Sequence, residues 1–212
     1  MPAVIADLNE DRAQEIAKLL DLKVAMLETR YAGKVRLVPR PIRFTRQAQA
    51  VVWDSLIATA TGEGYRIDLL NPTERLVSQI RVPIARRPVT QAMRESIIQG
   101  DLDRLNRPQR ERPVDPEEDK QIAREAPFAD SLPPYQNAFV TRGMTLWVVD
   151  AIAPGDDGWS ATAFRKDGGI VGRLRAPGPA VPLAFENDRV LVRTEDQNGV
   201  VSLKVYRMVP RK

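Results

Sequence analysis

The stretch Tyr65-Arg66-Ile67-Asp68-Leu69-Leu70-Asn71-Pro72-Thr73-Glu74-Arg75-Leu76-Val77-Ser78-Gln79-Ile80-Arg81-Val82-Pro83 lies without a gap over Trp159 to Pro177. An aromatic residue opens both copies. Leu70 falls on Phe164, Leu76-Val77 on Ile170-Val171, Arg81 on Arg175, and proline on proline. The second copy turns at Lys166-Asp167-Gly168-Gly169, where the first has Pro72-Thr73-Glu74-Arg75. Asp-Gly is the stronger hairpin signal, because glycine accepts the positive φ that tight turns require. A fainter third copy follows: Ser202 to Arg207 matches Ser160 to Arg165, about 42 residues on, which is the span of one four-stranded propeller blade.

Outward from the repeat, short apolar runs separated by turn residues recur. Val51-Val52-Trp53, Leu56 to Ala60, Tyr65 to Leu70 and Leu76 to Val82 form one group, punctuated by Gly62-Glu63-Gly64 and Asn71-Pro72-Thr73-Glu74. A second group holds Ala138 to Thr141, Leu146 to Asp150, Trp159 to Phe164 and Ile170 to Leu174. Ala184-Phe185, Arg189 to Arg193 and Val200 to Arg207 make a third, with only three clear strands. The expected fold is therefore mainly β: a partial β-propeller of about three four-stranded antiparallel blades. Each blade has two apolar faces and must stack on a neighbour to cover them. Trp147, Trp159 and Trp53 read as core between blades, and a β-sandwich is the structural alternative.

Two stretches break the β pattern. Asp7 and Glu10 have capping-box spacing, and Ile16, Leu19, Leu20, Val24 and Leu27 recur every three or four residues. These features predict an N-terminal helix ended by Gly33. Val35-Arg36-Leu37-Val38 alternates, but Pro39 and Pro41 are expected to interrupt any ladder. The second stretch runs from Ile84 to Pro134. There Thr90 caps a helix whose Met93, Ile97, Ile98 and Leu102 share a face, and Asp115-Pro116-Glu117-Glu118 starts another. With the charged, proline-rich run Arg107 to Pro113 it reads as a helical insertion between blades, a domain linker being the rival. The resulting division is 1–34 helical, 35–83 first blade, 84–134 insertion, 135–178 second blade and 179–212 third, incomplete blade.

Leu146-Trp147-Val148, Trp159 to Phe164, Lys166-Asp167-Gly168, Val171-Gly172-Arg173-Leu174 and Val205-Tyr206-Arg207 resemble bacterial six-bladed β-propeller proteins of the NHL- and TolB-like kind. The resemblance covers roughly residues 35 to 208, about the C-terminal half of such a ring. It implies a non-catalytic binding or scaffold module for a protein, peptide or glycan. It also implies either a fragment missing its other propeller half, a half-ring that pairs as a homodimer, or an arc capped by its helices. Propeller hydrolases of the lactonase type hold a metal with acidic and amide side chains. The competing expectation is thus a hydrolase with an oxygen-ligated divalent metal such as Ca2+, and a structural or assembly role is the third.

Composition limits the chemistry. The 212 residues include no cysteine and no histidine. That removes thiol nucleophiles, disulfides, zinc fingers and histidine-based triads, so no catalytic residue is assigned. The net charge of +4 is a small difference between 32 basic and 28 acidic residues. With aromatics at 6% and charges interspersed, the pattern argues against nucleic-acid binding. No apolar run reaches the roughly 18 residues of a membrane span. The opening residues lack a basic n-region followed by an apolar h-region, so a soluble chain without a signal peptide is expected. The family resemblance implies an extracytoplasmic location for a chain truncated at its N-terminus.

The binding candidates are loop residues. Asp156 and Asp157, in Pro154-Gly155-Asp156-Asp157-Gly158, can offer oxygens to a hard cation, as can Glu195 and Asp196 before Gln197-Asn198-Gly199. A solvated hairpin turn is the simpler reading of both. Arg40 and Arg43, in the run Arg36, Arg40, Arg43 and Arg46, suit an anionic partner, although spaced arginines also protect an exposed sheet edge.

Overall fold

The computed structural model describes residues 2–7, 12–18, 23–31, 33–45, 48–60, 62, 64–73, 75–106, 116–196 and 199–209. The chain is mainly β, in several antiparallel sheets. Two hairpins come first: β1 (Pro2–Asp7) pairs with β2 (Arg12–Lys18), and β3 (Val24–Tyr31) with β4 (Lys34–Pro41). Sheet 1 is the meander β5 (Gln49–Trp53), β6 (Leu56–Ala60), β7 (Tyr65–Leu70) and β8 (Leu76–Val82). Helices α1 (Gln91–Leu105) and α2 (Pro116–Glu125) follow. Sheet 2 is the meander β9 (Tyr135–Val140), β10 (Leu146–Asp150), β11 (Gly158–Phe164) and β12 (Ile170–Pro177). Sheet 3 holds β13 (Ala180–Glu186), β14 (Arg189–Glu195) and β15 (Val201–Arg207). Neither helix is long and apolar enough to cross a membrane.

The repeat seen in the sequence is a repeat of hydrogen bonding. Tyr65 pairs with Val82 as Trp159 pairs with Ala176, and Leu70 with Leu76 as Phe164 with Ile170. Both pairings carry an irregularity at the same place, between Leu69 and Leu70 in one copy and Ala163 and Phe164 in the other. The closing bond is shared too: Asn71 N donates to Arg75 O (3.1 Å) where Arg165 N donates to Gly169 O (2.9 Å). The third copy also keeps its place, since β15 and β11 are each the third strand of their sheet.

The three sheets stack in chain order through two cores. Trp53, Tyr65, Ile67 and Leu69 of sheet 1 meet Tyr135, Leu146, Val148 and Phe164 of sheet 2. The Trp53 indole N–H also donates to Met144 O (2.9 Å), and the Gln49 amide to Gln136 O, so β5 is fixed beside β9. On the other face of sheet 2, Val149, Trp159 and Ala161 meet Ala180, Phe185, Val190 and Val192 of sheet 3. Phe185 is the hub there. It stacks on Trp147 (4.8 Å, 8° between planes) and meets Trp159 edge-on at 6.1 Å. All three tryptophans are therefore sheet-to-sheet core.

The segment between β8 and β9 leaves and returns at one place. Val89 N donates to Asp130 O (3.0 Å) and Leu132 N to Arg87 O (2.9 Å). A small core of Val89, Leu132 and Ala153, with Phe44, Met93 and Phe128 against it, seals this stem. Thr90 caps α1 as expected, its side chain accepting from Met93 N, and Met93, Ile97, Ile98 and Leu102 are half-buried together. The second helix starts at Pro116, whereas Asp115 and the run Arg107 to Pro113 lie outside the described residues.

The N-terminal helix is the principal correction. Ile16 falls on β2, and Val24 and Leu27 fall on β3, where a three-residue spacing puts Val24 outward and Leu27 inward. Glu10, Leu19 and Leu20 lie outside the described residues. Gly33 ends no helix. At φ +78° it turns the β3–β4 hairpin, and the left-handed conformation that terminates helices serves a tight turn equally well. Pro39 and Pro41 do not interrupt β4, which runs through both, paired to Met26 and Val24. A two-stranded sheet has only edge strands, where a missing N–H costs no ladder bond if it faces away from the partner.

The reason β3 is a strand lies far along the chain. The Glu118 carboxylate of α2 is buried against the hairpin, accepting from Thr29 Oγ1 (2.7 Å), from Arg36 Nε (2.7 Å) and from Arg36 Nη2. Gln121 does for the edge of β3 what a neighbouring strand would do. Its amide accepts from Arg30 N (3.3 Å) and donates to Glu28 O (3.4 Å).

Candidate functional site

One open cleft of about 910 Å³ lies where the ends of β10, β11 and β12 meet the Gly62–Gly64 turn and the stem of the helical segment. Its floor depends on a close approach. A Cβ on Gly158 would sit 2.2 Å from the carbonyl oxygen of Ala176, so a side chain here would push β11 off β12. Arg86, Arg87 and Arg175 bring positive charge to the lining, and Asp150, Asp156 and Asp157 bring negative charge.

These charges differ in how they are held. Arg87 forks onto Asp156, Nη2 to Oδ1 at 2.7 Å and Nη1 to Oδ2 at 3.2 Å. Asp156 Oδ2 also accepts from Ala153 N (2.8 Å). The hydrogen bond from Arg87 holds the Asp156 carboxyl below the ordinary carboxylate range. Asp150, at the end of β10, shows the opposite behaviour. It is half-buried, and burial pushes its carboxyl above the ordinary value, against the Ser160 hydroxyl that donates to it (2.5 Å) and the charges of Arg173 and Arg87.

Behind Asp150 the wall is aromatic and polar. The Tyr65 hydroxyl is driven up by burial and by the Asp150 charge, so it is a neutral group at any physiological pH. Its ring meets Tyr135 edge-on at 5.5 Å, and the Tyr135 hydroxyl accepts from Gly62 N (2.6 Å). Trp159 has its indole N–H buried without a hydrogen-bond partner among the described residues. Arg175 is exposed on β12, opposite Ser160 in the ladder. The cleft thus gathers donors and acceptors, among them a carboxyl that burial raises above its ordinary value.

Of the binding candidates singled out from sequence, Asp156 and Asp157 reach this cleft, and Asp156 is committed to Arg87. Asp157 is exposed, and its carbonyl accepts from Gly178 N (2.7 Å). Glu195 pairs with Arg193 (2.9 Å). Asp196 closes its own turn, Oδ1 accepting from Val200 N (2.8 Å), while Gln197 and Asn198 lie outside the described residues. Among the described residues no group of three or more acidic side chains gathers where it would hold a metal ion.

The arginine run has become internal structure. Arg43 donates to Ala123 O (3.0 Å), pairs with Asp101 (2.6 Å) and lies over the Phe128 ring, so it ties both helices to the stem. Burial pulls its guanidinium down and Asp101 opposes this. Arg40 is half-buried, and its charge adds to that of Arg36 in keeping Glu118 ionised. Arg46 lies outside the described residues. Asp150, Arg87 and Arg175 were not legible as a site. The nearest sequence signal for Asp150 is a lone carboxylate ending an apolar strand, and Arg87 stands far along the chain from Asp156.

No family model matches the chain, and no curated protein does. Among solved structures, a crystal structure of the eukaryotic initiation factor is similar at a TM-score of 0.27 and 13% identity, over 87% of this chain and 50% of that one. The chain thus spans half the length of that structure.

Proposed function

We propose that the chain is a non-catalytic binding module built as an arc of propeller-type blades, and that its cleft takes an extended peptide segment. The propeller reading is supported by three sheets stacked in order and by the innermost strand β5 set beside β9. The observation that carries the binding reading is the cleft lining: the exposed cation Arg175 and the half-buried carboxyl of Asp150 within one concavity. A peptide backbone offers N–H and C=O groups in alternation, which this mixture of donors and acceptors matches. A glycan would need aromatic platforms, and Trp159 is the single aromatic residue of the lining. A nucleic acid would need a net cationic surface, and three arginines face three aspartates here.

Selection of a random peptide library displayed on phage against the full chain tests this. Enriched peptides should bind the parent protein and lose about tenfold in affinity to Arg175→Glu, the worth of one charge-assisted hydrogen bond. Arg86→Glu, also in the lining, should weaken the same peptides. Failure to enrich any peptide, or peptides indifferent to both reversals, would overturn the assignment.

A further inference from the structure

Among the described residues, sheet 3 ends in an unpaired edge. Sheets 1 and 2 have four strands, while sheet 3 has three among the described residues, and β15 is its outer strand. In the other two sheets the matching strands, β7 and β11, are paired on that side by β8 and β12. All seven residues of β15 are exposed.

The backbone groups at this edge follow from the ladder. Asp196 N donates to Val200 O (3.1 Å) at one end of the β14–β15 pair, and Met208 N to Asp188 O (2.6 Å) at the other. Hydrogen-bonded and non-hydrogen-bonded pairs alternate along an antiparallel ladder. Between these fixed points the even-numbered residues of β15 bond β14. The N–H and C=O of Val201, Leu203 and Val205 therefore point to the free edge. The same three side chains lie on the outward face, beside Leu191 and Val181 across the register.

Three two-fold antiparallel registers pair at least five residues of β15 with its copy through these groups. Centred on Lys204, it sets lysine against lysine in a non-hydrogen-bonded pair, where side chains are closest and like charges repel. Centred on Val205, it sets Leu203 against Arg207, and Val201 against Val209, which lies past the end of β15. Centred on Leu203, it sets Leu203 against Leu203 and Val201 against Val205 on the outward face, with Ser202 against Lys204 on the other. In that register every free N–H and C=O of the three residues finds a partner.

We propose that two copies of the chain pair through β15 in the Leu203-centred register, forming one continuous six-stranded sheet across a two-fold axis. The outward apolar faces of both copies then join into a single surface. The Arg193–Glu195 and Arg207–Asp188 ion pairs of each copy are intramolecular and survive the pairing.

Size-exclusion chromatography with light scattering on the full chain, from low micromolar to near-millimolar concentration, should show a species of twice 23.8 kDa that dissociates on dilution. Leu203→Pro removes an edge N–H that β14 does not use and should leave a monomer with unchanged far-ultraviolet circular dichroism. Ser202→Lys sets two like-charge pairs across the axis and should weaken the dimer roughly fivefold, whereas Ser202→Glu opposite Lys204 should strengthen it by a similar factor. Both Ser202 variants change an exposed residue and keep the test valid if the proline variant misfolds. A monomer at every concentration, an open-ended series of larger species, or a dimer indifferent to the two Ser202 variants would each overturn the proposal.

Discussion

Sheets 2 and 3 carry matching third strands with opposite fates. Trp159 and Ala161 of β11 are 5% and 0% exposed, whereas Val201 and Leu203, at the matching positions of β15, are 49% and 64% exposed. Both strands read apolar at these positions. Sheet 2 lies between two neighbours and buries both its faces, while among the described residues sheet 3 meets a neighbour on one face only. Burial in this molecule is thus a property of a sheet's position in the stack more than of the strand's own residues.

Substitutions can sharpen that contrast. Phe185→Ala removes the ring on which Trp147, Trp159 and Phe139 converge and should cost about 3–5 kcal/mol in denaturant unfolding. Leu203→Ala, measured at concentrations low enough to hold a monomer, should stay within about 0.5 kcal/mol of the parent. Equal losses at the two positions would break the comparison. Trp53→Phe keeps a ring in the core between sheets 1 and 2 but strands the Met144 carbonyl, for an expected loss of about 1–3 kcal/mol.

The remaining tests are smaller and depend on pH. Hydrogen bonds from Arg36 and Thr29 hold Glu118 below the ordinary glutamate range. A lowered folded-state value means that its contribution is present above about pH 4.3, the unfolded reference, and is lost as pH falls through the folded value. Glu118→Gln should lower the melting temperature by a few degrees at pH 7, and the difference from the parent should close in acid. Asp150 carries the opposite sign. Burial raises its carboxyl, so stability is greatest below about pH 3.9 and falls as pH rises through the folded value. Asp150→Asn should therefore raise the melting temperature slightly at pH 7 and leave it unchanged near pH 3. A loss at pH 7 would mean that the Ser160 hydrogen bond outweighs the cost of burial.

The strands of sheets 1 and 2 were legible because period-two alternation and turn residues are local signals, and because the repeat states them twice. The helices were legible from Thr90 and Pro116 for the same reason. The first 34 residues were misread because apolar residues three and four apart satisfy a helix, while the partners that hold β3 extended, Glu118 and Gln121, lie far along the chain. The cleft was hidden for a related reason. Arg87, Asp150 and Arg175 come from three segments, and no spacing in the sequence marks their convergence. Asp156 reads from sequence as an acidic loop residue, but its commitment to Arg87 depends on the stem that brings Arg87 beside the end of β10.

The amino-acid sequence determined the pairing within sheets 1 and 2, the hairpin register repeated between Tyr65 and Pro83 and between Trp159 and Pro177, and the two helix starts, since each rests on contacts close in sequence. Only the tertiary structure decided which apolar faces are covered, which arginines became internal ties, and where a concavity opens. Those outcomes depend on surfaces brought together from distant segments, and the edge of β15 stays open because no described strand reaches it.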